Sequence, residues 1–384
     1  MWMPLKGYSS MNMTMYMPVR LVTGRNCVAE RAAEIAALGP RCLIITGRHS
    51  SKANGSLADV TDALDGQGVE WGLFDEIGAN PLLEDCERAG RMAREMGAAF
   101  VIGIGGGSAM DAAKCAAVFA ANPGLSEDDL YAVRWQTKAL PQVMVGTTAG
   151  TGSEVTMVAV ITDRSGRKRS FRDPSVFPVL ALGDARYTIS MSERETLSTA
   201  ADAGMHCVES YFNRQANDYS RTVALRGLRI LKSCADMIRE KKGTESLTLE
   251  DREALYAASI YGGMAIAVTG TAMPHAVSYL LTEEYHISHG TACAVFLPDF
   301  FVLNEAAEPE LCKTFLEELR LSRKDFLAMF RTLTPEISVS MTEKDAADAM
   351  GRFENNNGLK KTFGSPDALW VKEMLMRLFS SESL

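Results

Sequence analysis

The sequence predicts an α/β domain built on a parallel sheet over residues 1–185, followed by an all-α domain over residues 186–384. Three observations carry that expectation. Up to Asp184, short apolar runs that end at glycines alternate with stretches of helical period, the rhythm of a parallel sheet covered on both faces. From Ser192 onward every periodic stretch is helical. Two glycine-rich segments follow strands in the first part, while four of the five histidines fall in the second.

The elements follow in order. Met11, Met13, Met15 and Met17 alternate with other residues at period two, which predicts a half-buried first strand. Lys6, Gly7, Ser9, Ser10, Asn12 and Thr14 interrupt the continuous apolar core that a secretory signal needs, so an extension plus a strand is the simpler reading. Cys42 to Thr46 is a strand ending at Gly47, and a helix follows over 56–66. Glu70 to Phe74 reads as a strand, Leu82 to Met96 as a helix, and Ala98 to Ile104 as a strand that runs into glycines. Met110 to Ala121 is helical and Gln142 to Val145 extended. Val158 to Asp163 and Arg164 to Lys168 form a hairpin turning at Ser165-Gly166, and Leu180 to Asp184 is the last strand. The helical part breaks near Lys242-Gly243, Gly290, Pro309 and Pro335. No Gly/Ser- or Pro-rich linker separates the two parts, so they are expected to pack tightly around a ligand-binding cleft.

Composition removes several classes. A chain 47% hydrophobic and 23% charged is neither fibrous nor disordered. No apolar run approaches the roughly 20 residues of a membrane helix. A net charge of −8 disfavours a nucleic-acid partner. The eight cysteines form no CxxC pair and mostly sit in apolar stretches, which points to buried thiols in a reducing, cytoplasmic setting.

The segment Gly103-Ile104-Gly105-Gly106-Gly107-Ser108 leaves a strand and opens a helix. Glycines there allow backbone N–H groups to approach an anion, and the helix adds its positive end. The spacing is not GxGxxG, and the motif follows the third strand instead of the first. A second cluster, Gly146-Thr147-Thr148-Ala149-Gly150-Thr151-Gly152-Ser153-Glu154, also follows a strand and suits contact with ribose, phosphate or a flat ring. A tight turn would account for either loop alone, but the pair favours a nucleotide.

Asp202 and His206, at i and i+4, share one helix face. That pair alone is more often a helix hydrogen bond than a metal site. His275 lies in another helical run and His289 precedes Gly290 at the start of a third. One aspartate with three neutral imidazoles is a plausible shell for a catalytic Fe²⁺ or Zn²⁺ with an open position. His286 is an alternative ligand or a cleft residue, and His49 lies in the other domain.

These motifs resemble the iron-containing (group III) alcohol dehydrogenases from about residue 17 to about residue 335. The residues that carry the resemblance are Gly105-Gly106-Gly107-Ser108 with Asp111 and Lys114, Thr147 to Glu154, Asp202 with His206, and His275 with His289-Gly290. The resemblance implies a dehydroquinate synthase-like architecture and a metal, Fe²⁺ or Zn²⁺, held by Asp202, His206, His275 and His289. It implies reversible hydride transfer between a small alcohol or aldehyde and a nicotinamide cofactor, in a homodimer. It places Asn80, Gly105, Gly106, Gly107, Ser108, Asp111, Thr147, Thr148, Thr151, Ser153 and Lys168 against the cofactor. Glycerol dehydrogenase-like and dehydroquinate synthase-like enzymes of the same architecture are the alternatives. Two departures stand out. Gly146 sits where proline is common, and Tyr279 sits where a further histidine is frequent. Tyr279 and His286 are therefore the candidate proton relays.

After the first long strand the chain reads Thr46-Gly47-Arg48-His49-Ser50-Ser51-Lys52, with no acidic residue as far as Leu57. NAD-using relatives often carry an aspartate where Gly47 stands, and an acid there bonds the ribose 2′-OH and repels a 2′-phosphate. Hydroxyls and cations in its place predict a preference for NADP(H) over NAD(H), with Gly47, Ser50, Ser51 and Lys52 nearest the 2′-phosphate.

Overall fold

The computed structural model describes residues 13–380. Six strands form one parallel sheet: β1 (Arg20–Thr23), β2 (Arg41–Gly47), β3 (Glu70–Ile77), β4 (Phe100–Gly105), β5 (Gln142–Gly146) and β8 (Leu180–Gly183), in the order β1-β8-β5-β4-β2-β3. β6 (Val158–Thr162) and β7 (Lys168–Arg172) form a separate antiparallel hairpin.

The sheet is buried on both sides, which is why its strands read as unbroken apolar runs. Along β2 the side chains divide by the period of two. Cys42 and Ile44 join Phe100, Ile102, Val143 and Leu182 on one face, against Val60 and Leu64 of α1 (Ser56–Asp65). Leu43 and Ile45 join Val101 and Met144 on the other, against α2 (Leu83–Glu95) and α3 (Gly107–Ala121).

The helical domain packs α6 (Leu249–Thr269) against α4 (Glu193–Tyr211) and α5 (Asp218–Lys241). The capping boxes at Ser192, Asn217 and Thr248 set where these three helices start. α7 (Met273–Glu284) and the short α8 (His289–Ala294) then lie along α4. No single helix among the described residues is long and apolar enough to cross a membrane.

Two expectations are corrected. The first strand is not the methionine alternation: Met13 to Met17 lie outside regular structure and Met11 lies outside the described residues. β1 begins at Arg20, because only there does the chain meet a partner, at Leu180 of β8. Met13 and Met15 are 56% and 48% exposed, so no apolar surface selects the alternation. The second strand of the hairpin is Lys168–Arg172 in place of Arg164 to Lys168. Asp163 Oδ1 accepts from the N–H groups of Ser165 and Arg167 and from the Ser165 hydroxyl, so the turn consumes residues 163–167. The break expected near Gly290 falls at residues 285–288, and Gly290 sits in the first turn of the helix that follows, α8.

Candidate active site

In a sheet of this order the crevice opens where successive connections leave in opposite directions, here between the carboxyl ends of β2 and β4. Those ends are Gly47 and Gly105. Gly105 has φ +151°, which an L side chain rarely adopts, and Gly106 caps α3. A Cβ on Gly106 would lie 3.0 Å from Thr148 Oγ1, and one on Gly107 2.8 Å from Thr151 Cγ2. The glycines therefore allow the second loop to press against the first, and the two loops form one surface. The Ser108 hydroxyl donates to the Ala79 carbonyl at 2.5 Å, which sets Asn80 beside this surface.

Not every residue expected at the cofactor faces open space. Asp111 Oδ1 accepts from the Ser153 hydroxyl at 2.6 Å and Oδ2 from Val160 N–H at 2.9 Å. The fully buried Lys114 ammonium donates to Ser153 O, Ser153 Oγ, Thr156 Oγ1 and Val158 O. Asp111, Lys114 and Ser153 thus lock the second loop and the hairpin onto α3. At the β2 end Ser51 is buried, Ser50 is exposed, and Lys52 Nζ lies 2.5 Å from Asp75 Oδ2 on β3. Asp75 was not visible in the local reading because sheet pairing, not sequence proximity, brings it there.

Gly146 has a packing reason in this chain. A Cβ there would lie 2.2 Å from Tyr256 Oη, whose hydroxyl donates to Glu154 Oε1 at 2.7 Å. The loop then reaches the helical domain. Gly152 has φ +57°, and its Cβ would sit 2.6 Å from Gly263 Cα in α6.

Four predicted ligands converge at that contact. From Asp202 Oδ1, His275 Nε2 is 3.3 Å away, His206 Nε2 3.6 Å and His289 Nε2 3.9 Å. Donor atoms bound tetrahedrally at about 2.1 Å from a cation stand roughly 3.4 Å apart, so these spacings match a first shell. Asp202 Oδ1 and His275 Nε2 are buried with no hydrogen-bond partner, as is His206 Nδ1. Buried polar atoms without partners are costly, and a cation between the first two satisfies both. The residues present therefore fit a divalent metal. Asp202, His206 and His275 are buried, whereas the His289 side chain is 32% exposed, so the shell is open on that side.

Charge follows the same geometry. Burial opposes the Asp202 carboxylate, but the imidazoles of His206, His289 and His275 outweigh it and hold the group well below the usual carboxylate range. Burial pushes His289 down to about 3, more than Asp202 restores, so its ring is neutral and available as a ligand.

Two residues of the cluster escaped the sequence reading. Glu209 lies seven residues after Asp202 on the same face of α4, and its Oε1 is 2.5 Å from His275 Nδ1. Its Oε2 accepts from Ala272 N–H at 2.6 Å. The carboxylate fixes the His275 tautomer and aims Nε2 at the centre. The i, i+7 spacing from Asp202 was the available signal. Cys293 offers its sulfur within 4.8 Å of the Asp202, His275 and His289 donors. Nothing in the sequence separates it from the other buried thiols. All eight cysteines are free and buried.

Tyr279, one turn after His275, stacks on His289 with ring centroids 5.9 Å apart, and Lys168 Nζ stands 5.6 Å above its ring. Burial pushes the Tyr279 phenol up to about 12, so it is a neutral donor. His286 lies elsewhere: it is exposed in the turn after α7, at φ +54°.

Comparison with known proteins agrees with this geometry. A family model described as iron-containing alcohol dehydrogenase matches residues 18–185, and one described as Fe-containing alcohol dehydrogenase family, C-terminal, matches residues 196–356. The chain is 31% identical to long-chain-alcohol dehydrogenase 1 of Geobacillus thermodenitrificans over 278 residues, 72% of this chain and 69% of that protein. It is 29% identical to a sulfoacetaldehyde reductase of Bilophila wadsworthia over 297 residues, covering 77% and 76%. A solved iron-containing alcohol dehydrogenase from Thermotoga maritima superposes with a TM-score of 0.87 at 34% identity, covering 95% of this chain and 99% of that one. With its glycine loops and its histidine-aspartate shell in the places those matches span, the chain belongs to the iron-containing alcohol dehydrogenase family.

Proposed function

We propose that Asp202, His206, His275 and His289 hold one divalent cation and that the Gly105–Ser108 and Thr147–Ser153 loops hold a nicotinamide cofactor beside it. The enzyme is a metal-dependent NAD(P)-linked alcohol dehydrogenase or aldehyde reductase. The convergence of three imidazole nitrogens on one unpartnered carboxylate oxygen carries the metal assignment. When bound, the cation supplies Lewis acidity toward the alcohol or carbonyl oxygen. The chain's own groups do the rest. Glu209 keeps the His275 lone pair directed inward. The second glycine loop, seated on α4 and α6 through Gly150 and Gly152, carries the cofactor to the cluster. Tyr279 holds its proton next to His289 and is the relay candidate. The eight free thiols support a reducing cytosol as the working compartment.

The Glu209 role has a direct check. Glu209→Gln keeps the shape but loses the charge that orients His275, and metal affinity measured with a competing chelator should fall about 10- to 100-fold. Unchanged affinity would mean that the carboxylate is only a packing group.

For the cofactor, we propose iron or zinc with NADP(H) preferred over NAD(H). Gly47 leaves the end of β2 without a carboxylate, and Ser50 and Lys52 are exposed beside it. Asp75 already engages Lys52, so a 2′-phosphate has to compete with that carboxylate. The expected result is kcat/KM higher for NADPH than for NADH with one common aldehyde. Gly47→Asp should reverse it. A preference for NADH of about tenfold or more, roughly 1.4 kcal/mol, would overturn the assignment.

A further inference from the structure

The hairpin is held from both domains. On the α/β side, Lys114 Nζ donates to the Val158 carbonyl at 2.8 Å and Asp111 Oδ2 accepts from the Val160 N–H, so β6 is fixed to α3. β7 pairs with β6 and with no other strand. The Lys168 N–H, at the start of β7, instead donates to Glu283 Oε1 at 2.9 Å, near the end of α7. An edge-strand N–H is left to water unless something covers it, and here a carboxylate of the helical domain takes it.

Glu283 is in turn fixed from a third place. Arg352, which ends a short turn of helix (Met350–Arg352), donates through Nη1 to Glu283 Oε2 at 2.5 Å and through Nη2 to Glu284 Oε1. The Glu283 and Arg352 side chains are only 13% and 21% exposed, so water screens this pair less than it screens a surface ion pair. One oxygen of Glu283 therefore holds the hairpin while the other is anchored by the C-terminal segment.

The residue whose backbone is held also reaches the site. Lys168 Nζ stands 5.6 Å from the centroid of the Tyr279 ring, and that ring stacks on His289. Glu283 lies one turn after Tyr279 on α7, and His275 lies one turn before it. One helix thus carries a metal ligand, the ring under the ammonium and the carboxylate that holds the backbone of the same lysine. Among the described residues the Lys168 ammonium pairs with no carboxylate, so its charge is left for a ligand. The hairpin and the Thr147–Ser153 loop share α3 as their support, through Asp111, Lys114 and Ser153. The ammonium is accordingly carried by the cofactor domain and presented at the metal cluster.

We infer that Glu283 and Arg352 are positioning residues, which fix the hairpin so that the Lys168 ammonium meets the nicotinamide half of the cofactor beside the cluster. This rests on the oxidoreductase reading above and adds two residues that neither the glycine loops nor the ligand motifs contain. Glu283 acts through Lys168. Without its carboxylate the start of β7 is released, and the ammonium has to be ordered anew each time the cofactor binds. The loss falls on cofactor affinity and leaves the metal shell intact.

The test is a double-mutant cycle on the metal-loaded enzyme, read by fluorescence titration with NADPH and with NADH. Lys168→Met and Glu283→Ala should each raise the Kd of the tighter cofactor about 10- to 100-fold, the loss expected of a charge-assisted contact. Combined, they should raise it no more than about twofold beyond the worse single variant. Glu283→Gln, which keeps an acceptor for the Lys168 N–H, should recover most of the loss. Glu284→Gln removes only the second Arg352 contact and should bind cofactor normally, and metal content should be unchanged throughout. Should Glu283→Ala not fold, Arg352→Gln with Lys168→Met runs the same cycle. Losses that multiply, or an unchanged Kd in either single variant, overturn the inference and leave the oxidoreductase reading standing. No binding of either reduced cofactor by the unsubstituted enzyme overturns both.

Discussion

His275→Ala and His289→Ala should each yield folded protein that retains well under one metal per chain and loses aldehyde reduction by about a thousandfold, roughly 4 kcal/mol of transition-state stabilisation. The reason lies in the distances. Asp202 Oδ1 faces His275 Nε2 at 3.3 Å and His289 Nε2 at 3.9 Å, and removing either imidazole leaves too few donors on one side of the centre. His275→Ala also strands Glu209, a buried carboxylate that would keep only the Ala272 N–H as a partner. It should therefore be the less stable of the two by thermal denaturation. His286→Ala, outside the cluster, is the control and should keep its metal. Full occupancy in both alanine variants would remove the assignment.

Among the glycines of the described residues, Gly290 should be the one least tolerant of alanine. Its Cβ would lie 1.8 Å from the Ser198 carbonyl oxygen and 2.8 Å from both Asp202 N and Asp202 Cβ. The obstacles are backbone atoms of α4 and cannot rotate away. α8 would have to back off from α4, and His289 and Asp202 would separate with it. Overpacking of this kind costs about 3 kcal/mol, the upper end of the usual range. Loss of metal should accompany the fall in Tm. Gly351→Ala meets nothing within 4 Å and should leave both unchanged. A Gly290→Ala protein with normal Tm and normal metal content would show that the α4–α8 contact is looser than described.

Periodicity exposed most of the architecture, because a sheet buried on both faces leaves uninterrupted apolar runs and the helical domain leaves none. It failed where no tertiary surface selected the pattern. The methionine alternation at the N-terminus has the period of a strand, yet a strand exists only where a neighbour accepts its hydrogen bonds, and Arg20 is the first residue with one. The hairpin was legible as a hairpin, but its register was not. One Asp163 oxygen gathers three donors and lengthens the turn.

In the site, residues that share a helix or a loop were readable from spacing. Asp202 with His206 is the clearest case. Partners supplied by other elements were not: Asp75 reaches Lys52 through strand pairing. Asp111 and Ser153 carry cofactor-loop motifs, yet their side-chain oxygens bond to each other and to Val160 and Lys114. A motif identifies a loop more securely than it identifies which of its atoms touch the ligand.

The central claim is that one divalent cation, held by the Asp202–His289 shell, is required for hydride transfer by this chain. The measurement that tests it most directly is an anaerobic titration of chelator-stripped protein with Fe²⁺, and in parallel Zn²⁺, while following reduced-cofactor oxidation with an aldehyde. The account predicts no turnover in stripped protein and a rise in rate with at least one of the two metals that breaks at one equivalent per chain. Full turnover in stripped protein, or a rate that neither metal raises, would contradict it.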